Sequence, residues 1–151
     1  MPILLALLLT PINDVTTTLA SPPQYIEIAK LEANKGRDFS YPPEFRERQT
    51  KFYPDLAPLN SAQDARLLFA QVENLARSQK NWEIIVSEPK TLRIEAVATT
   101  PMLRFHDDIV IEIHPETSGS SVHMRSKSRL GKSDLGANAA RIRQFLAQIR
   151  S

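Results

Sequence analysis

The 151-residue chain has no cysteine, only four glycines, three histidines and one tryptophan. Without cysteine there are no disulfides, no thiol catalysis and no cysteine-held zinc or iron–sulfur centre. His106, His114 and His123 never fall four apart, so a histidine metal site is not expected, and neither is a cofactor. A net charge of +2 is too small to point to a membrane surface or to nucleic acid, and nucleic acid is not an expected partner. No apolar run approaches the roughly 20 residues of a spanning helix. The longest, Ile3–Leu9 in "MPILLALLLTP", is open to three readings: a signal-peptide core, the tail of a truncated membrane anchor, or a short element packed on the body. No Lys or Arg precedes it.

What is present describes an ordinary globular chain, 42% hydrophobic and 24% charged, long enough for one domain with a real core. Its charge is unevenly placed. From Met124 onward there are seven Lys or Arg and one acid, Asp134, which leaves twelve bases and sixteen acids before it. An anionic partner would therefore meet the C-terminal end.

Eight of the eleven prolines precede residue 59, in runs such as "SPPQY", "YPPEF" and "YPDLAPL". Such runs break helices and central strands, so residues 1–60 read as an irregular arm with a short strand at Asn13–Thr18. Tyr25, Phe39, Tyr41, Phe45, Phe52 and Tyr53 would pin that arm to the body. The body, residues 61–151, starts at "SAQD", where Ser61 and Asp64 resemble a capping box. Ala65, Leu68, Phe69, Val72, Leu75 and Ala76 then predict a helix over 62–79. Alternation predicts four strands, at 82–87, 91–99, 108–114 and 121–129, with connections short enough for sequential antiparallel pairing. In the last strand Val122 and Met124 point inward, and His123, Arg125, Lys127 and Arg129 outward. Leu135, Ile142, Phe145, Leu146 and Ile149 form the stripe of a final helix over 135–150. The expectation is an α+β fold: a four-stranded antiparallel meander with both helices on one face.

Three constellations are candidates for chemistry. In "RSKSRLGKSD", Arg125–Asp134, alternating cations lead into a Gly turn and a helix start, a pattern suited to phosphate or carboxylate. Lys132 and Ser133 could add donors. The structural alternative has Gly131 at positive φ, Ser133 or Asp134 as the cap, and the arginines paired with Glu95 and Glu112. Second, Asp107 and Asp108, with Asp14, could bind a divalent ion or move protons. Adjacent strand residues face opposite ways, so one of the pair is expected to cap a turn and the other to meet Arg104 or Arg125. Third, the hydroxyls of Thr16, Thr17, Thr18, Ser126 and Ser128 lack a nucleophile elbow, although His123 or His106 could act as a base. Trp82 is expected to anchor the first strand in the core.

Motifs along nearly the whole chain, "INDVTT", "YPDLAPL", "NWEII", "RIEAVATT", "RFHDDIVIEI" and "VHMRSKSRLGKSDLGANAARIRQFL", resemble the bacterial and plastid-type family called domain of unknown function 1499. The resemblance implies no reaction, since the family is defined by an unknown one. It does imply an N-terminal hydrophobic segment, which this chain has as a stub. The shared polar residues Asp14, Asp108, Arg125, Ser128, Arg129, Ser133, Asp134 and Asn138 exceed what a small fold needs. One explanation is a buried network clamping the arm, with Asp14 paired to Arg129. Together with Thr16, Thr17 and Lys132, these are the candidate ligand-binding residues, and none is assigned a catalytic role. The expected function is a non-enzymatic accessory or binding domain at the cell envelope, near a membrane, holding a protein or a small ligand. The alternatives are a small enzyme or anion-binding domain acting at Arg125–Asp134, and a cytoplasmic location.

Overall fold

The computed structural model describes residues 11–150, so the readings of Ile3–Leu9 lie outside the described residues. The protein is α+β, and its described residues form a six-stranded antiparallel sheet and three α-helices. The strands are β1 (Asp14–Thr16), β2 (Leu59–Ser61), β3 (Trp82–Glu88), β4 (Arg93–Thr99), β5 (His106–Glu116) and β6 (Gly119–Ser128). The helices are α1 (Glu44–Phe52), α2 (Ala65–Ser78) and α3 (Ala137–Ala147). Each of β3 to β6 pairs with the next, and both β1 and β2 pair with the far side of β6.

The expected fold is corrected in three places. The sheet has six strands rather than four, because two pieces of the N-terminal arm join it. The arm is also less irregular than its prolines suggest: Pro42 and Pro43 precede a helix instead of breaking one, as proline does at a helix start. Finally, both expected helices are shorter. Ser61 ends β2, and its hydroxyl accepts from the Gln63 N–H, while Asp64 caps α2 by accepting from the Arg66 N–H at 2.9 Å.

Two apolar layers sandwich the sheet. On one face, Leu68, Phe69 and Val72 of α2 and Ile142, Phe145 and Ile149 from the C-terminal end meet Ile94, Ile111 and Met124, all buried as their spacing predicts. Trp82, half-buried, stacks on Phe145 with ring centroids 5.1 Å apart. On the other face, Tyr25 and Ile28 from the arm cover Val97 and Val110. Strand β6 is therefore buried on both faces over nearly its whole length. Its cations point away from the helices, as alternation requires, but into the arm rather than into water.

At Gly119, with φ +99°, an added Cβ would run into the Ser61 carbonyl. Glycine there lets β2 lie against the β5–β6 turn, and this close approach carries the arm's second strand.

Candidate functional site

The polar residues of β1, β5 and β6 fall into three groups. The first clamps the arm. Arg125, 1% exposed, donates to Asp14 through Nε at 2.9 Å and Nη2 at 2.7 Å. It also donates to the carbonyls of Pro23 (3.0 Å) and Phe39 (2.8 Å), and it lies over the Tyr25 ring at 4.8 Å. Burial opposes the Arg125 charge, but the hydrogen bonds and charge of Asp14 outweigh it and hold the guanidinium above its ordinary pKa. Burial pulls the neighbouring Lys127 down. Thr16 and Thr17 belong to this group. Thr16 exchanges hydrogen bonds with the Gln49 side chain, and the Thr17 hydroxyl accepts from the Met124 N–H at 2.9 Å.

In the second group Arg129 donates to Asp108 at 2.8 Å, and Asn34 donates to the same carboxylate at 3.3 Å. The pairing expected between Asp14 and Arg129 is therefore corrected: Asp14 takes Arg125 and Asp108 takes Arg129. Register explains this. Both carboxylates sit opposite Lys127, one on each neighbouring strand, and each reaches a diagonal arginine. Glu95 and Glu112 are not partners of Arg125 or Arg129 either. Glu95 accepts the backbone N–H groups of Ile26, Glu27 and Ile28, and Glu112 accepts from Arg93 at 2.7 Å.

The third group lies on the helix face, at the β6–α3 joint. Asp107, facing opposite to Asp108, pairs with Arg141 at 2.8 Å, neither capping a turn nor meeting Arg104 or Arg125. Asn138 is fully buried. It donates to Ser128 and Asp134 and accepts from Ser126. Gly131 takes a positive φ, +83°. The N-cap of α3 is Gly136, with φ +91°, rather than Ser133 or Asp134. Asp134 performs the capping chemistry from two residues upstream, accepting from the N–H groups of Gly136 (2.7 Å) and Asn138 (3.2 Å). Burial, opposed by these bonds, pushes its carboxyl above the ordinary aspartate range, and Asp107 adds in the same direction. The positive helix end that an anion would use is thus occupied by a carboxylate of the chain itself.

Beside this joint lies a cleft of about 650 Å³, between the β4–β5 connection (100–105) and the 130–137 segment. Its walls include Met102, Leu103, Phe105, Leu130 and Leu135, and these are five of the seven large apolar side chains exposed among the described residues. Asp107, Ser128, Ser133 and Asp134 supply its polar lining. Each rim holds a non-glycine residue in the left-handed region, Arg104 at φ +57° and Leu135 at +52°. Such backbone costs roughly 1–3 kcal/mol and persists where its surroundings enforce it.

Of the expected binding residues, Ser128, Ser133 and Asp134 line the cleft, and Asn138 lies behind it. Asp14, Thr16, Thr17, Asp108, Arg125 and Arg129 sit under the arm instead. Lys132 is exposed at the joint. The apolar walls were missed in the sequence. Their signal was "PMLRF", three large apolar residues in a connection too irregular to be a strand.

A further cluster joins β5, β6 and the threonines. The His114 and His123 rings stack at 3.9 Å, and His123 lies 2.7 Å from the Thr18 hydroxyl and 2.9 Å from that of Ser121. No group of three or more His, Cys, Asp or Glu suited to a metal occurs among the described residues.

An antiparallel sheet with an apolar layer on each face and an apolar cleft at one end defines this chain as an α+β domain of layered architecture. The chain belongs to the family described as protein of unknown function (DUF1499), whose model matches residues 14–149. No curated protein and no solved structure matches it.

Proposed function

We propose that the protein is a non-enzymatic accessory domain of the cell envelope. Its cleft holds a small apolar molecule that carries a hydrogen-bond donor at one end. The observation that carries this reading is the gathering of exposed apolar side chains around a cleft lined also by Asp107, Ser128 and Asp134. Soluble proteins rarely cluster exposed apolar groups without use, and small-molecule sites combine apolar walls with a few convergent polar groups. The reading takes β3–β6 as a four-stranded meander that carries the cleft at one end, with α2 and α3 on one face. The Arg125–Asp14 and Arg129–Asp108 pairs serve it as scaffold.

A second reading, a small enzyme at the same joint, draws support from the Asp134 carboxyl, which burial holds above the ordinary aspartate range, since shifted carboxyls cluster at functional sites. Its oxygens, however, already cap α3.

The test uses decanol, whose hydroxyl and alkyl chain match the two parts of the cleft. Decanol should raise the melting temperature and add a one-to-one adduct in native mass spectrometry. Ala137→Trp, which fills the cleft from an exposed lining position, should abolish both. Equal shifts in wild type and variant, or no shift, refute the reading.

A further inference from the structure

We infer that the cleft end of the sheet is a membrane-docking surface, and that its partner is the headgroup region of an anionic phospholipid bilayer. The inference rests on the reading of this end as the working face, and it names what that face meets.

Three observations converge. The first is exposure. Met102 is 91% exposed, Leu103 69% and Leu130 61%, on two segments that the sheet brings side by side. The β4–β5 connection precedes β5, the 130–137 segment follows β6, and Asp107 pairs with Ser128, so both segments leave the same end of the sheet. Side chains this exposed add nothing to the core; their apolar area is available to a partner. The second is charge. Arg104 and Lys132 stand exposed among these side chains, and neither forms an ion pair among the described residues. Apolar groups interleaved with unpaired cations fit the boundary between acyl chains and anionic headgroups. A soluble protein partner would more often present counter-charges or a groove.

The third is chain continuity. The Asp134 N–H donates to the Ile12 carbonyl at 3.1 Å, and the Asn13 side chain donates to the Gly131 carbonyl at 2.8 Å. The first described residues therefore lie at this joint, and in sequence the apolar run Ile3–Leu9 lies only a few residues before them. In sequence, this short apolar run adds a second weak membrane signal to the exposed apolar patch. Stable anchoring generally needs two such signals.

The test is co-sedimentation of the full chain with vesicles of phosphatidylcholine and phosphatidylglycerol, against vesicles of phosphatidylcholine alone. Wild type should bind the anionic vesicles, bind the neutral ones less and lose binding as salt rises. Two double variants, Leu103→Asp with Leu130→Asp, and Arg104→Ser with Lys132→Ser, should each weaken binding about tenfold. Melting temperature should hold in both, since all four side chains are exposed. The inference is overturned if wild type ignores anionic vesicles, or if both variants bind as wild type does, which would assign binding to the N-terminal run alone. A dimer in solution that Leu103→Asp dissociates, with no vesicle binding, overturns it in favour of self-association. Decanol binding that survives without vesicle binding overturns the docking surface and leaves the cleft reading standing; loss of both refutes both.

Discussion

Replacing Arg125 by methionine tests the buried clamp directly. The substitution keeps most of the volume and removes the charge. Asp14, 0% exposed, then loses two hydrogen bonds, and its nearest remaining cation is Lys127, 3.9 Å away and itself disfavoured by burial. The Pro23 and Phe39 carbonyls lose their Arg125 donor in the same step. Breaking a buried pair from one side costs about 3–5 kcal/mol, mostly from the stranded charge. For a chain of this size that lowers the melting temperature by roughly 6–20 °C. The double variant Asp14→Leu with Arg125→Met removes both charges, so it should recover much of the loss, as apolar replacements of buried pairs do. Thermal unfolding by circular dichroism gives the cycle, and limited proteolysis locates the damage, which should appear at residues 20–45. A cost below about 1 kcal/mol for Arg125→Met, or a double variant as unstable as the sum of the singles, would refute the argument that Asp14 depends on this arginine.

Phe145→Ala should cost about 3–5 kcal/mol, because the ring is buried between the sheet and α3 and stacks on Trp82; chemical denaturation measures it, and a red shift of the only tryptophan's emission should accompany it. His123 gives a pH dependence: burial first, then His114, pulls its pKa below the ordinary value against the opposing pull of Glu112 and Glu116. The unfolded chain takes up its proton near pH 6.5 while the folded chain resists, so melting temperature should fall as pH drops from about 7.5 toward 5.5, less steeply in His123→Asn; a slope identical in the two proteins would show that another group sets it.

Local patterns were legible in the sequence because they depend on neighbours along the chain. Alternation marked β3 to β6, helical spacing marked the buried faces of α2 and α3, and a glycine between charged residues marked the turn at Gly131. The prolines of the arm misled for the same local reason. They forbid helix interiors and central strands, but not a helix that begins after Pro43 or a short strand that begins after Pro58.

Tertiary structure decided what depends on register and on closeness in space. Asp14 has two arginines on adjacent diagonals, Arg125 and Arg129, and no feature of the sequence ranks them. The presence of a second carboxylate, Asp108, across the same Lys127 settles the choice, because each acid takes the arginine the other leaves. The cleft arose likewise. Met102 and Leu130 are far apart along the chain, and only the pairing of Asp107 with Ser128 sets their segments beside each other. The sequence by itself determined which residues prefer burial, strand or turn, since side-chain chemistry acts locally. Which charges meet, and which apolar residues remain outside, followed from the antiparallel register of β1, β5 and β6.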